Sequence, residues 1–300
     1  MNNRLALVIG NAAYQHINRL RNTLNDAKDM KVKLEQLGFD VMLGLDATNA
    51  TMEALVVEFA RRMADYSVGL FYFSGHGAQS LGENILCPVD MPVLSGNSEQ
   101  IYSTLLNGGL LLNEVLARIQ KYEKQKVLIC IVDACRSDPL LPPPAKGLAE
   151  GETLDLRLVP PKTQPRGTII SFATSPMQVS YDGIPGRRKN GAYTGVLLEW
   201  IDKPDMKIED MFKAVRFEVD RHTGGSQLTW DHSSLIGDFY FNPQECRSLE
   251  QLTDQERSAA YGLGLPRLRT SCPNCLHEIV LEEGQKERRC PFCRRIVDRP

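Results

Sequence analysis

The fold is decided by two stretches of the sequence: residues 68–77, Val-Gly-Leu-Phe-Tyr-Phe-Ser-Gly-His-Gly, and residues 126–136, Lys-Val-Leu-Ile-Cys-Ile-Val-Asp-Ala-Cys-Arg. Both contain a short apolar run bounded by polar or glycine residues, a pattern typical of strands buried on both faces. The first strand is predicted over Val68–Ser74, followed by an abrupt turn at the Gly-His-Gly sequence, and the second over Lys126–Asp133. Each predicted strand therefore ends in a motif with reactive side chains.

Helical and strand-like segments alternate around these two strands through the first 240 residues. Leu5–Ile9 is a short apolar run that ends at Gly10, and apolar residues then recur at helical spacing from Leu24 to Leu37, where Gly38 ends the helix. Such alternation indicates βαβ units, and so an α/β fold with a mostly parallel central sheet. The remaining elements are predicted as strands over Phe39–Leu43, Gly167–Ala173 and Asp238–Phe241, and as helices over Thr51–Asp65, Leu110–Tyr122, Ala192–Ile201 and Ile208–Arg221.

The carboxyl ends of the strands are where a parallel α/β sheet forms its active crevice. This rule selects His76 and Cys135, which stand 59 residues apart in the chain. A nucleophilic cysteine needs a nearby base to supply its thiolate, and the two partners are usually distant in sequence. A lone cysteine is more often structural, but two motifs at the same edge of the sheet favour catalysis.

The composition is that of an ordinary globular protein, and it excludes several functional classes. The chain is 42% hydrophobic and 24% charged, with a formal net charge of -2. A protein built mainly to bind phosphate backbones would carry a basic excess. The apolar runs are far shorter than the roughly 18 residues of a membrane span, and the N-terminus has no secretory signal pattern. The sequence thus predicts a cytoplasmic protein with reduced thiols.

Four of the eight cysteines form a separate pattern near the C-terminus: Cys272-Pro-Asn-Cys275 and Cys290-Pro-Phe-Cys293. Two Cys-x2-Cys pairs with fourteen residues between them have the spacing of a structural zinc ribbon with four thiolate ligands. Because so short a segment buries little core, bound Zn²⁺ would supply its folding energy. Two disulfides are the alternative.

Three segments follow from these patterns. We predict an α/β domain over residues 1–242, a linker over residues 243–269 and the zinc ribbon over residues 270–300. Basic and acidic side chains nearly balance in the ribbon, which favours a partner protein over nucleic acid as its ligand.

The motifs at His76 and Cys135 resemble those of the caspase, metacaspase and paracaspase clan of cysteine proteases. The resemblance covers residues 4–242, and beyond the two motifs it is carried by Leu5–Asn11, Leu20–Ala27, Asn190–Leu198 and Gln227–Phe241. It implies a caspase-like three-layer sandwich and thiol protease (hydrolase) activity on a protein substrate. It also implies Cys135 as the nucleophile, His76 as its general acid and base, and the N–H groups of Gly77 and Cys135 as the oxyanion hole.

The same resemblance, which is closer to metacaspases and paracaspases here, implies a pocket for a basic side chain. Asp133 stands two residues before Cys135, where caspases have Gln, while Asp26 and Ser74 match the other pocket positions. Two converging carboxylates favour a cation, and the planar guanidinium of Arg suits such a pair best.

Alternatives to this pocket remain at the level of sequence. Asp26 could be a first-turn acid favoured by the helix dipole, and Asp133 a strand-end residue that caps a loop. Arg21 is a rival, because caspases use Arg residues to bind acidic substrates. The sequence also departs from the metacaspase pattern at Asn22 and Thr23, where Gly and Cys are usual.

Two functional hypotheses follow. The first is a cysteine endopeptidase that cleaves after Arg or Lys, in the manner of bacterial relatives that act in defence or cell death by cutting a partner protein. The second is a caspase-fold scaffold with a dormant catalytic pair, whose zinc ribbon recruits a partner. No calcium-binding loop is recognisable, so calcium dependence is left open. The proline-rich loop 138–166 offers Lys146, Arg157, Lys162 and Arg166 as sites for self-cleavage, with the basic run at residues 187–189 as a competing site. The alternative is that these are solubilising charges.

Overall fold

The computed structural model describes most of the chain: residues 3–80, 83–121, 127–135, 166–174 and 189–243, and four short strands between residues 268 and 298. The chain divides into two compact units. The first comprises Met1–Leu235 and Tyr240–Asn242, and the second comprises Ile236–Phe239 and Pro243–Pro300.

The first unit is built on a mixed, mostly parallel sheet. Its strands are β1 (Arg4–Gly10), β2 (Phe39–Leu45), β3 (Val68–Ser80), β4 (Glu83–Leu86), β5 (Leu110–Leu111), β6 (Val127–Cys135), β7 (Thr168–Phe172) and β8 (Trp230–Ser233). The main order is β2-β1-β3-β6-β7-β8, and all of these neighbours are parallel except β7 and β8. A short antiparallel ladder of β4 and β5 continues from the end of β3.

Six helices lie in the described part of this unit: α1 (Thr23–Gln36), α2 (Asn49–Arg62), α3 (Ser98–Gly108), α4 (Leu112–Gln120), α5 (Ala192–Trp200) and α6 (Ile208–His222). The apolar residues of α2 and α4 join one face of the sheet in a single core cluster. On the other face α5 packs between α1 and α6. The helices thus cover both faces, as a mostly parallel sheet requires.

Alternation along β1 explains why its sequence is apolar throughout. Leu5, Leu7 and Ile9 belong to the cluster with α2 and α4, whereas Ala6 and Val8 are buried on the opposite side. A strand covered by helices on both faces has no solvent-facing positions. The α/β fold with a mostly parallel sheet, predicted from such runs, is confirmed.

Three local predictions differ from the structure. The strand that contains Val68 does not turn at Gly75, His76 and Gly77 but continues to Ser80, because β4 pairs with its second half. The last strand of the main sheet is Trp230–Ser233 and not Asp238–Phe241, because Trp230–Ser233 pairs antiparallel with β7. The sequence predicts neither β4 nor α3, and it begins a helix at Leu110, where the structure has the short strand β5 followed by α4 from Leu112.

The second unit contains two described hairpins. β9 (Leu268–Ser271) pairs with β10 (Glu278–Leu281), and β11 (Glu287–Arg289) pairs with β12 (Ile296–Asp298), both antiparallel. Among the helices that the structure describes, none has the length and apolar character needed to cross a membrane.

Candidate active site

His76 and Cys135 lie opposite each other on neighbouring parallel strands. The register of β3 and β6 pairs Ser74 with Asp133 and His76 with Cys135. The two motifs that stand far apart in the sequence thus meet at the carboxyl edge of the sheet. The side chain of Cys135 lies outside the described part of the structure, which places its backbone beside that of His76.

The imidazole of His76 is held in one orientation by a backbone carbonyl. Its Nε2 atom lies 2.7 Å from the carbonyl oxygen of Asn18. Because a carbonyl oxygen only accepts hydrogen bonds, Nε2 is the nitrogen that carries hydrogen. In the neutral ring the lone pair is then on Nδ1, so Nδ1 is the atom that can accept a proton from a neighbouring thiol.

The backbone around Gly77 orients its N–H group toward β6. The carbonyls of Ser74 and His76 face the β1 side, where they accept hydrogen bonds from the N–H groups of Asn11 and Cys87, both at 2.9 Å. Because a trans peptide directs C=O and the next N–H to opposite sides, the N–H of Gly77 is directed away from Cys87. That is the side on which β6 ends at Cys135.

The two other described cysteines of the domain, Cys87 and Cys130, are poor nucleophiles. Both are buried, and burial raises the pKa of the Cys87 thiol to about 12 and that of Cys130 further still. Since only the thiolate reacts, neither thiol is a ready nucleophile in the folded domain.

A pair of buried carboxylates lies beside this edge of the sheet. Asp26 on α1 is 2% exposed and Asp133 on β6 is 6% exposed. Asp26 accepts hydrogen bonds from the N–H of Gly191 and from the side chain of Asn190, each at 3.0 Å, and from the hydroxyl of Ser74 at 3.3 Å. The three predicted pocket residues are thus close together, since Ser74 is also the register partner of Asp133.

Asp133 is hydrogen-bonded to the first turn of α5. Its Oδ2 atom accepts the hydroxyl of Thr194 at 2.6 Å and the N–H of Thr194 at 3.3 Å. Together with the bond from Gly191 to Asp26, these contacts satisfy N–H groups at the start of a helix, which otherwise lack partners. Both carboxylates therefore cap α5 as well as face each other.

The electrostatics of this pair favour a proton or a cation. Burial, together with the charge of Asp133, raises the pKa of Asp26 to about 8. The hydroxyl of Tyr72 is buried beside both acids, and burial and their charges raise its pKa too. The repulsion within the pair is relieved either by a proton on one carboxyl or by a cation brought between the two.

The structure also describes Arg21, the alternative specificity residue, and the two positions that depart from the metacaspase pattern. Arg21 is exposed, outside the buried acid pair. At the two positions that depart from the metacaspase pattern, Asn22 precedes α1 without a side-chain cap, and the hydroxyl of Thr23 donates to the carbonyl of Asn11 at 2.8 Å.

Several predicted residues fall outside the described part of the chain. These are the four tail cysteines (Cys272, Cys275, Cys290 and Cys293) and three of the candidate self-cleavage residues, Lys146, Arg157 and Lys162; Arg166 is described and exposed. In the part that the structure describes, no cluster of three or more His, Cys, Asp or Glu side chains could hold a metal ion.

Sequence reasoning missed four residues of this site: Tyr14, Asn18, Asn190 and Gly191. Asn18 contributes its backbone carbonyl, a group that every residue has, so its side chain does not single it out in the sequence. Asn190 and Gly191 lie in a segment that carried the family resemblance, but hydrogen bonding to Asp26 comes only from the packing of α5 against α1. Tyr14 follows the first strand by four residues and could have been noticed as an isolated aromatic near the crevice.

A parallel α/β sheet that brings a histidine and a cysteine together at its carboxyl edge is the arrangement of a caspase-like cysteine peptidase. Residues 3–240 match the family described as the caspase domain, Peptidase_C14, and the chain belongs to that family. The family is one of cysteine-type peptidases, which are hydrolases that act on proteins.

Two similar proteins match a shorter stretch. The chain is 36% identical over 89 residues to the human mucosa-associated lymphoid tissue lymphoma translocation protein 1 and to its mouse homologue. The aligned stretch is 30% of this chain and 11% of each relative's length. The likeness therefore concerns a small part of those proteins.

Proposed function

We propose that the protein is a cysteine endopeptidase that cleaves protein substrates after Arg or Lys through a Cys135–His76 dyad. The observation that carries this proposal is the buried pair of Asp26 and Asp133, which lies beside the strand ends that bear His76 and Cys135. In a peptidase of this family, two facing carboxylates at this position are suited to bind the cationic side chain of the residue before the scissile bond.

The reaction would follow from the orientation of His76. Nδ1 takes the proton of the Cys135 thiol, and the thiolate attacks the scissile carbonyl. The N–H groups of Gly77 and Cys135 stabilise the oxyanion that develops. His76 then returns the proton to the leaving amine, and water hydrolyses the resulting thioester to release the acid product and restore the thiol.

Selectivity would come from exchanging a proton for a cation at the acid pair. A guanidinium is a flat fork of donors that can bond to both carboxylates at once. Its charge lowers the pKa of Asp26, so the proton leaves as the substrate binds. An acidic residue in the same position would face two carboxylates and would be excluded.

The test is a panel of fluorogenic peptides that differ only in the residue before the cut: Arg, Lys, Asp or Ala. We expect turnover of the Arg and Lys peptides and none by Cys135→Ala. A preference for the Asp peptide would contradict the acidic pocket and favour Arg21 as the specificity residue. If no peptide is cleaved, with calcium present or absent, the scaffold hypothesis is favoured.

We further propose that the C-terminal cysteines form a structural zinc site. The fit rests on the donor set, four thiols that make a complete tetrahedral zinc shell, and on the two hairpins. One Cys pair lies in the sequence between β9 and β10 and the other between β11 and β12. Bound Zn²⁺ would supply folding energy to this small unit, which we propose recruits a partner protein.

A further inference from the structure

We propose that Tyr14 is a positioning residue for His76, acting through a hydroxyl inserted into the ladder between β3 and β4. This inference rests on the proposed function, because it assigns a role in placing the dyad base. Tyr14 lies in the segment that follows β1, four residues before Asn18, and is 2% exposed.

The hydroxyl of Tyr14 replaces a bond that the sheet would otherwise make. β3 and β4 pair Gly77 with Leu86, so the next pair is His76 with Cys87. The N–H of Cys87 donates to the carbonyl of His76 at 2.9 Å, as in a regular ladder. The reciprocal bond is absent from this pair: the N–H of His76 donates to the Tyr14 hydroxyl at 2.7 Å, and that hydroxyl donates to the carbonyl of Cys87 at 3.2 Å.

The inserted hydroxyl separates the N–H of His76 from the carbonyl of Cys87, on one side of a pair whose other bond is regular. The hydroxyl makes two hydrogen bonds where a regular pair has one direct bond, so the backbone N–H of His76 depends on Tyr14 for its partner. The close approach depends on Gly75, since a Cβ there would lie 2.6 Å from the hydroxyl oxygen. A glycine in the Gly-His-Gly motif thus makes room for the phenol of Tyr14.

The ring of Tyr14 also contacts the imidazole. The two ring centroids are 4.6 Å apart, with an angle of 57° between the planes. The same segment provides the Asn18 carbonyl that bonds to Nε2. His76 is therefore held at its backbone, its ring face and its Nε2 by residues 14–18.

This segment is itself fixed from outside the site. The N–H groups of Ala12 and Ala13 both donate to Oδ1 of Asp46 at 2.8 Å, and the N–H of Gln15 donates to the carbonyl of Val89 at 2.9 Å. The ring of Tyr14 packs in an apolar cluster with residues of β3, β4 and α3. Tyr14 is consequently a rigid support, as positioning of a base requires.

The experiment compares Tyr14→Phe with the wild-type chain, and Tyr66→Phe is the matched control. The control removes a hydroxyl that donates to Asp40 at 2.6 Å, next to the opposite end of β3. In Tyr14→Phe the ladder closes or the His76 N–H loses its partner, and either change moves the imidazole. We expect kcat for an Arg peptide to fall by about tenfold or more, since small misplacements of catalytic groups cost up to about 100-fold. KM should stay within about twofold, and the acid limb of the pH profile should shift.

A second readout does not depend on turnover. NMR of ¹⁵N-labelled histidine, assigned with His76→Gln, reports the tautomer of His76 in the full chain. We expect the Nε2–H tautomer in the wild type and in Tyr66→Phe, and a mixture or a shifted titration in Tyr14→Phe. The same tautomer, titration, kcat and pH profile in Tyr14→Phe as in the wild type would overturn the proposal. If the wild type cleaves no peptide, the proposed function fails, and the NMR comparison alone decides the role of Tyr14.

Discussion

The carboxylates of Asp26 and Asp133 flank a single point in the structure. A Cβ atom placed on Gly191 would lie 3.2 Å from Oδ2 of Asp26 and 3.3 Å from Oδ2 of Asp133. The two acids come from α1 and β6, more than a hundred residues apart in sequence, and the start of α5 brings them to the same place. This point is where our account locates the charge of a basic substrate.

Gly191→Ala should therefore obstruct the pocket without disturbing the backbone. Gly191 has φ -58° and ψ 157°, angles that alanine adopts readily. We expect kcat/KM for Arg peptides to fall by about tenfold or more, because the added methyl occupies the space between the two carboxylates in which the guanidinium would form its hydrogen bonds. Gly195→Ala in the same helix is the control, since its Cβ meets only Asn190 at 3.6 Å. Equal activity of both variants would place the cation elsewhere.

Removing one charge of the pair should weaken cleavage after Arg while leaving α5 capped. Asn keeps an oxygen that can accept the bonds from Gly191 and Thr194, so Asp26→Asn and Asp133→Asn retain the helix contacts. We expect kcat/KM for the Arg peptide to fall by about 30-fold or more, the effect of losing about 2 kcal/mol or more from a buried charge pair. Asp40→Asn, at the other edge of the sheet, should behave as the wild type. Retention of full Arg activity by both pocket variants would refute the acidic pocket.

Binding of a small guanidinium should depend on pH through Asp26. Below a pH of about 8 this carboxyl carries a proton that must leave when the cation binds, so affinity should rise with pH and level off near 8. Well below 8 the slope approaches about tenfold per pH unit, the limit for release of one proton. The inhibition constant of benzamidine, measured against pH, checks this. In Asp26→Asn the slope should disappear; an unchanged slope would assign the titration to another group.

The C-terminal unit should be a zinc-dependent attachment to an independent peptidase domain. We expect one zinc ion per chain by metal analysis, and a chelator should unfold residues 270–300 alone. Truncation after Asn242 should leave peptide cleavage intact. The truncation should not begin earlier in the chain, because the guanidinium of Arg4 donates hydrogen bonds to the carbonyls of Tyr240 and Phe241, at 3.2 and 2.7 Å. Absence of zinc, with the four tail thiols oxidised, would show a disulfide-linked unit instead.

What the sequence could predict was the regular part of the fold and the ends of its central strands. The apolar runs of β1, β3 and β6 are buried on both faces, so their composition alone identifies them. The turn predicted at Gly-His-Gly is wrong. Glycine favours a turn when only the local sequence is considered, whereas here the segment is an extended strand that pairs with β4 and leaves room for Tyr14.

The rest depended on contacts between distant segments. Asp26 looks like an ordinary first-turn acid of α1 until α5 supplies Asn190 and Gly191 as its partners. The Asn18 carbonyl and the Tyr14 hydroxyl act on His76 from a segment about sixty residues earlier in the chain. Such contacts leave no periodicity or spacing in the sequence.

In the proposed reaction, Cys135 attacks the carbonyl carbon of a basic residue. This step is tested most directly by treating the intact chain with a peptidyl-arginine chloromethyl ketone and mapping the label by mass spectrometry. The tryptic peptide that spans residues 127–136 contains both Cys130 and Cys135, so its fragment ions distinguish the two. We predict one thioether per chain, on Cys135, formed with loss of chloride, and none with the aspartyl analogue. An unlabelled Cys135, or equal labelling by the aspartyl analogue, would contradict the account.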